Sequence, residues 1–374
     1  MAVNSGDRDL SALFEPKGRW RRCEVKFRLR EFDGREDRSL RDEWPHTPLQ
    51  HTLMLASATL TGSLFRYKAD TWPAPLQAFE SPATHSHAKY VVYVGGLTDG
   101  LLACAYVEAL GHELDRRGWA LVQPLLSSSY AGFGCSSLER DATELAQLLT
   151  HIKEERPVEA FAIVGHSTGC QDSVTLLGQA PPDIRRLIRA AVLQAPVSDR
   201  EAATLFGDDE ARLKDLRAAQ ALVAEGKGNT LMPEMFYGFV PITASRYASL
   251  VGRLGPDDMF SSDFTDEQLA AILSHMGTRG QHEGRSAHKG YPAIDPVPDH
   301  PGLRTLFVHS QKDEYVPPAV DVSILSERFV IAAGGAANGA AAYIVPEANH
   351  NLARPPTALG DFVERVGLWL AGSV

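Results

Sequence analysis

The pentapeptide Gly165-His-Ser-Thr-Gly169 constrains the fold of this chain more than any other feature, because of what lies on either side of it. The apolar run at 161–164 predicts a buried strand before it, and a helix-like segment follows at once. Gly-x-Ser-x-Gly between a strand and a helix is typical of a tight turn that holds a serine hydroxyl above the edge of a sheet. The sequence therefore predicts that Ser167 is a nucleophile and that the chain is an enzyme.

Composition and charge narrow the class of protein. The chain has 374 residues, 44% of them hydrophobic and 22% charged, and a formal net charge of −10. That charge argues against a nucleic-acid partner, which requires clustered Lys and Arg. The four cysteines have no metal-ligand spacing, and no signal-peptide core or membrane-length apolar run is present. We expect a cytoplasmic protein without a membrane partner, a metal or another cofactor.

Short apolar runs alternate with helical patterns along most of the chain. This alternation predicts a mostly parallel sheet with helices on both faces. Three runs near the N-terminus read instead as antiparallel strands or hairpins, at 25–32, 51–57 and 63–67. The later strands are expected at 89–94, 120–125, 161–164, 190–194, 306–309 and 343–345, with helices at 99–117 and from a capping box at Ser136 to about residue 155.

The stretch after the sixth strand of the sheet breaks this alternation. Residues 198–300 contain helical segments but no clear strand pattern. A structureless loop of that length is implausible inside a compact domain, so we expect a helical cap inserted into the core. The predicted organisation is a first core part with an N-terminal extension at 1–197, a cap at 198–300 and the remaining core at 301–374.

A serine nucleophile needs a histidine base and a carboxylate that orients it. In chain order the acid and then the histidine follow the serine, on loops after late strands. His350 comes directly after the last strand and is our candidate base. Asp313 follows the strand at 306–309 and is our candidate acid, with Asp199 and the adjacent Glu314 as alternatives. His166 and His309 are interpreted as structural.

An oxyanion hole should combine two backbone N–H groups. One belongs to Thr168, the residue after the nucleophile. The other is expected from the loop Gly95-Gly-Leu-Thr-Asp-Gly100, where the two glycines allow the backbone to approach the substrate. We predict Leu97 as this second donor and Gly96 as a substrate contact.

Several longer stretches resemble one family of α/β-hydrolases, mostly uncharacterised, that includes the fungal esterases of fusarinine-type siderophores. The matching stretches are Gly95-Gly-Leu-Thr-Asp-Gly100, Ser128-Ser-Tyr-Ala-Gly-Phe-Gly134, Gly165-His-Ser-Thr-Gly-Cys-Gln-Asp172, Pro241-Ile-Thr-Ala-Ser-Arg-Tyr-Ala-Ser-Leu250, Asp257-Asp-Met-Phe-Ser-Ser-Asp263, Asp313-Glu-Tyr-Val-Pro317 and His350-Asn-Leu352. The resemblance implies an α/β-hydrolase fold with a mostly parallel, eight-stranded-type sheet and a helical cap after the sixth strand. It also implies the triad Ser167, Asp313 and His350.

The substrate pocket is less constrained by the sequence than the triad. We expect Tyr130, Met259 and Phe260, which lie in the resembling stretches, to contact substrate together with Gly96. The predicted function is a serine esterase that cleaves an ester of a small or medium-sized acyl compound, with a hydroxamate siderophore as one candidate. The alternatives are an acyltransferase or a carbon–carbon bond hydrolase on the same triad, and a non-catalytic small-molecule receptor.

Overall fold

The computed structural model describes residues 61–81, 86–288 and 291–373. The strands expected at 25–32 and 51–57 lie outside the described residues. Within the described part of the chain, no helix combines the length and apolar character that a membrane span requires.

An eight-stranded sheet forms the centre of the molecule. Its spatial order is β1-β2-β4-β3-β5-β6-β7-β8, with β1 and β2 antiparallel to their neighbours and the later strands parallel to one another. The second strand was not expected from the sequence. The strands are β1 Ser63–Tyr67, β2 Leu76–Glu80, β3 Lys89–Val94, β4 Ala120–Leu125, β5 Ala160–His166, β6 Ile188–Gln194, β7 Arg304–Ser310 and β8 Ala340–Val345.

Eleven helices flank or extend this sheet in the described part of the chain. They are α1 Val107–Arg116, α2 Leu138–Glu155, α3 Gly169–Gln179, α4 Pro182–Arg185, α5 Asp199–Ala202, α6 Asp209–Ala224, α7 Ala244–Val251, α8 Asp266–Leu273, α9 Thr278–Glu283, α10 Val322–Ala332 and α11 Pro356–Ala371. The capping box expected at Ser136 does not form. Ser137 caps α2 instead by accepting from Arg140 N, and Ser136 Oγ donates to Asp141.

Successive side chains of each strand point to opposite faces of the sheet, and both faces are buried. On β3, Val91 and Tyr93 pack in one hydrophobic cluster with residues of α1 and α11, while Tyr90 and Val92 pack in another with α2, α3 and α10. Because both faces are covered, the parallel strands are apolar almost throughout rather than at alternate positions.

The segment between β6 and β7 consists of two structurally different parts. In the first, α6, α7 and the turn between them pack around a small core of their own that includes Met232, Val240 and Leu250. In the second, Leu269 and Ile272 of α8 belong to the same cluster as the sheet and α10. The insertion expected at 198–300 therefore contains one part with its own hydrophobic cluster and one part that packs with the sheet and α10.

Candidate active site

Ser167 lies on a strained turn between β5 and α3. Its φ of +52° is in the left-handed region, which residues other than glycine seldom adopt. The flanking glycines allow the turn to pack closely. A Cβ on Gly165 would meet Gly169 O at 2.4 Å, and a Cβ on Gly169 would meet Val94 O at 2.2 Å. Ser167 lines the cavity described below.

His350 and Asp313 are held together by a short, double contact. His350 Nδ1 lies 2.8 Å from Asp313 Oδ2 and 2.9 Å from Asp313 Oδ1, and both residues are buried. Asp313 follows β7 and His350 follows β8, so parallel pairing of these strands brings the two loops to one edge of the sheet. Glu314, the adjacent alternative, accepts a hydrogen bond from the backbone N of His350 at 2.8 Å.

Two opposing effects act on the imidazole of His350. Burial favours the neutral ring, whereas the charge and hydrogen bond of Asp313, with a smaller effect of Glu314, favour the protonated one. The carboxylates outweigh burial and hold the pKa of His350 above its usual value. The contact to Asp313 also leaves Nε2 as the ring nitrogen that is free to act as a base.

The loop after β3 approaches the serine closely. A Cβ on Gly96 would lie 2.8 Å from Ser167 Cβ, so only glycine fits there. Gly96 N donates to Asp99 Oδ2 at 2.7 Å, and Leu97 beside it lines the cavity. Among the described residues, the backbone N–H groups of Leu97 and Thr168 have no hydrogen-bond acceptor. Both remain free to donate to a substrate oxygen.

Sequence reasoning missed Asp99, although it stands in the quoted glycine-rich loop. Its carboxylate ties the start of this loop by accepting from Gly96 N. Burial raises the pKa of Asp99 to about 6, against the lowering effects of that hydrogen bond and of His350. An Asp-Gly pair at a loop end is a turn signal that could have drawn attention to it.

One cavity of about 470 Å³ contains Ser167, His350 and Gly96. The cap forms much of its outer wall, through residues of α6, α7 and the turn between them. The cavity residues from the cap and its approach include Ala203, Phe206, Arg212, Met232, Met235, Phe236, Tyr237 and Tyr247.

Asp199, the alternative acid, also lines this cavity but is not bonded to His350. Its Oδ2 accepts from Gln171 Nε2 at 2.8 Å. Burial is the main cause that raises the pKa of Asp199 to about 7. Of the three carboxylates considered from the sequence, Asp313 is the one at the imidazole Nδ1 of His350.

Three of the expected substrate contacts lie elsewhere. Met259 and Phe260 are buried in the main core, where the rings of Phe260 and Phe329 are 5.4 Å apart. Tyr130 is 56% exposed beside Gly100 and does not line the cavity. The cavity wall does not include these three residues, and their contact with substrate stays a prediction. Their stretches shape the cap and core, whereas the cavity wall comes from earlier cap residues.

The two histidines interpreted as structural are both buried. His166 Nδ1 lies 2.5 Å from Gln194 Oε1, and burial lowers the pKa of His166 to about 3. His309 Nδ1 lies 2.8 Å from Ser326 Oγ. His166, Asp99 and Cys104 place potential metal-ligand atoms within 4.8 Å of one another. Burial raises the pKa of the Cys104 thiol, so this side chain is held as the neutral thiol between Asp99 and His166.

The sheet order, with a serine turn after β5 and a histidine loop after β8, is the architecture of the α/β-hydrolases, and this chain has that fold. At the level of sequence, the model of a family described as "Protein of unknown function (DUF1749)" matches residues 55–371. The chain belongs to this family.

Among the similar proteins, three from fungi are named as esterases or hydrolases. The fusarinine C esterase SidJ of Aspergillus fumigatus is 30% identical over 76% of this chain and 88% of its own length. An esterase of Emericella nidulans is 30% identical over 79% of this chain and 90% of its own length. The structure of the siderophore hydrolase EstB from Aspergillus fumigatus matches with a TM-score of 0.64 and 25% identity, over 84% of this chain and 98% of that one.

Proposed function

We propose that this protein is a serine carboxylesterase in which Ser167 is the nucleophile, His350 the base and Asp313 the residue that orients the base. One observation carries the proposal: His350 Nδ1 lies 2.8 Å from Asp313 Oδ2, while Ser167 and His350 line one cavity. An imidazole fixed at Nδ1 presents Nε2 to the serine hydroxyl, which is otherwise a poor nucleophile.

The first half of the reaction forms an acyl-enzyme. Ser167 Oγ attacks the ester carbonyl carbon while its proton passes to His350 Nε2. The negative charge on the carbonyl oxygen is stabilised by the N–H groups of Leu97 and Thr168 at the start of α3. As the carbonyl re-forms, the bond to the alcohol oxygen breaks and His350 returns the proton to the leaving alcohol.

The second half repeats these roles with water. His350 Nε2 takes a proton from water, the resulting hydroxyl attacks the acyl carbon, and the proton then passes to Ser167 Oγ as the acid leaves. The charge and hydrogen bond of Asp313 stabilise the imidazolium that forms twice in this cycle.

The names of the relatives support a substrate class. A fusarinine C esterase and a siderophore hydrolase are both similar to this chain over most of their length. We therefore propose an ester-linked siderophore as the substrate. The free thiols of Cys104, Cys135 and Cys170 support a reducing, cytoplasmic location.

A labelling experiment tests the nucleophile. A fluorophosphonate probe should label the wild-type protein and the control Ser323→Ala, whose serine is exposed on α10, but not Ser167→Ala. Hydrolysis by Ser167→Ala should fall at least about a thousandfold, because only binding and the oxyanion hole would remain. Labelling of Ser167→Ala at the wild-type rate would overturn the assignment.

The substrate class needs a separate measurement. Incubation with fusarinine-type esters, followed by mass spectrometry, should detect the hydroxy acid released by the wild-type protein and none from Ser167→Ala. Rapid hydrolysis of simple esters with no cleavage of any siderophore ester would retain the esterase and reject the siderophore.

A further inference from the structure

Four large apolar side chains are exposed on one short segment of the cap, and two of the four line the Ser167 cavity. We call Leu231, Met235, Tyr237 and Phe239 the apolar lip; they are 53%, 57%, 40% and 47% exposed. Met235 and Tyr237 also line the cavity, so the lip is continuous with the candidate active site. Clustered apolar side chains on a surface indicate a place where a ligand or partner binds.

The lip is held by an ordered backbone. Met232 N donates to Ile242 O and Phe236 N donates to Val240 O, each at 2.8 Å. Tyr237 and Gly238 have φ of +52° and +77°, which gives the segment a tight turn. Between the exposed side chains, Phe236 points inward and its ring lies 6.0 Å from that of Phe133. The apolar side chains are therefore presented to solvent by a fixed turn.

Charged residues that line the cavity limit which ligands or partners can bind the apolar lip. Three carboxylates, of Asp208, Asp215 and Glu234, and one guanidinium, of Arg212, line the same cavity as Met235 and Tyr237, and the whole chain carries a formal net charge of −10. Anionic lipid headgroups would be repelled by this surface. A neutral apolar group that extends outward from the cavity has no such penalty.

We infer that the apolar lip binds the part of the ester substrate remote from the scissile bond, and that this part is an apolar chain or ring. The inference rests on the proposed esterase function. A long substrate would bury these side chains and a short one would not, so the complex with the long substrate would be more stable. The apolar lip would then determine substrate preference without taking part in the chemistry.

The test compares esters that differ only in acyl length. Phe239→Ala should lower the ratio of kcat/KM for p-nitrophenyl octanoate to that for p-nitrophenyl acetate by about tenfold. Ile331→Ala removes a similarly exposed apolar side chain from α10, away from the cavity, and should leave the ratio unchanged. Equal losses on both esters in Phe239→Ala would overturn the inference.

A binding measurement separates this inference from the proposed function. Calorimetry with methyl octanoate on Ser167→Ala needs no turnover, and adding Phe239→Ala should raise the Kd about tenfold. If the wild-type protein cleaves no ester but the difference in Kd persists, the binding role of the apolar lip stands and the proposed esterase function is rejected. An unchanged Kd would reject the lip.

Other occupants would show themselves directly. Sedimentation with phosphatidylcholine or phosphatidylserine vesicles that is lost in Phe239→Ala would identify a lipid surface instead. A dimer in sedimentation velocity that Phe239→Ala dissociates would identify a second copy of the chain. Either result overturns the assignment of the lip to substrate.

Discussion

At the scale of single residues, the candidate site depends on the balance of burial and charge around His350. Burial alone would keep the imidazole neutral and its pKa low, but Asp313 lies against Nδ1 and raises the pKa above the usual value. The reference value of about 6.5 expected for an isolated histidine therefore underestimates the pH at which His350 gains its proton.

Asp313→Asn should change both the rate and its pH dependence. The amide no longer stabilises the imidazolium or selects the tautomer, so kcat should fall by about a thousandfold or more. With the charge gone, burial dominates and the pKa of His350 should fall, which moves the acid limb of the kcat profile to lower pH. The pH–rate profiles of Asp313→Asn and Asp199→Asn make the comparison. A larger loss of kcat in Asp199→Asn than in Asp313→Asn would identify Asp199, on the loop after β6, as the residue that orients His350.

Asp99→Ala should weaken catalysis without weakening binding. Without the 2.7 Å hydrogen bond from Gly96 N, the loop that carries Leu97 loses a restraint, and kcat should fall by about tenfold or more. Asp99→Asn keeps an oxygen acceptor and should retain most of the activity. Steady-state kcat and KM on a small activated ester give the measurement, and equal damage in both variants would show that the charge, not the hydrogen bond, matters.

Among the secondary-structure elements, α7 of the cap is held by a buried ion pair inside the insertion and by a hydrogen bond to the core. Arg246 on α7 donates through Nη1 to both oxygens of Asp257 at 2.7 Å, and through Nε to Phe133 O at 3.1 Å. Arg246 and Asp257 are both nearly inaccessible to solvent. The charge of Arg246 also opposes the burial that raises the pKa of Asp141 on α2 and Asp172 on α3. One cap side chain thus contacts the segment that carries Phe133 and influences carboxylates on two helices, α2 and α3.

Arg246→Met should destabilise the protein strongly, because it leaves the carboxylate of Asp257 buried and unpaired. The free energy of unfolding should fall by about 3–5 kcal/mol. Arg253→Met is the matched control, since Arg253 and Asp263 form an ion pair in which both side chains are 46% exposed. Its loss should be at most about 1 kcal/mol. Denaturant titration measures both, and similar values for the two variants would contradict the difference in burial.

At the scale of the whole molecule, one core joins the sheet to the second half of the insertion after β6. Phe260 is buried against Phe329 of α10, whose ring also lies 5.7 Å from that of Phe307 on β7. The core therefore extends from the sheet through α10 into the insertion. This explains why Met259 and Phe260, although they lie in a distinctive stretch of the sequence, contribute to stability and not to the cavity wall.

Phe260→Ala should affect the whole molecule rather than substrate choice. Loss of a buried aromatic ring should lower the free energy of unfolding by about 3–5 kcal/mol and lower the Tm. Kinetic assays on short and long esters should show losses in the same proportion. Phe239→Ala, which removes an exposed phenylalanine, should leave the Tm nearly unchanged. If Phe260→Ala changed the preference between short and long esters without changing the Tm, Phe260 would be assigned to the substrate pocket instead.

From the sequence alone one can predict the strand before Ser167, the helix after it and the mostly parallel sheet. These features depend on local patterns: apolar runs with strand length, glycines at a tight turn and the order of elements along the chain. They also made Ser167, Asp313 and His350 candidates, because each follows a predicted strand. The strand β2 escaped notice, since its run Leu76–Glu80 is short and mixes polar with apolar residues.

The folded arrangement was needed to show which carboxylate meets His350, which part of the insertion packs on the sheet and what lines the cavity. Asp313 and His350 are 37 residues apart in sequence, and their contact arises from the parallel pairing of β7 with β8. Asp199 follows a strand equally well, yet its carboxylate bonds Gln171. An apolar helical segment such as α8 has the same sequence pattern whether it covers a binding site or packs on a sheet. Its partners lie far along the chain, so only the folded arrangement distinguishes the two.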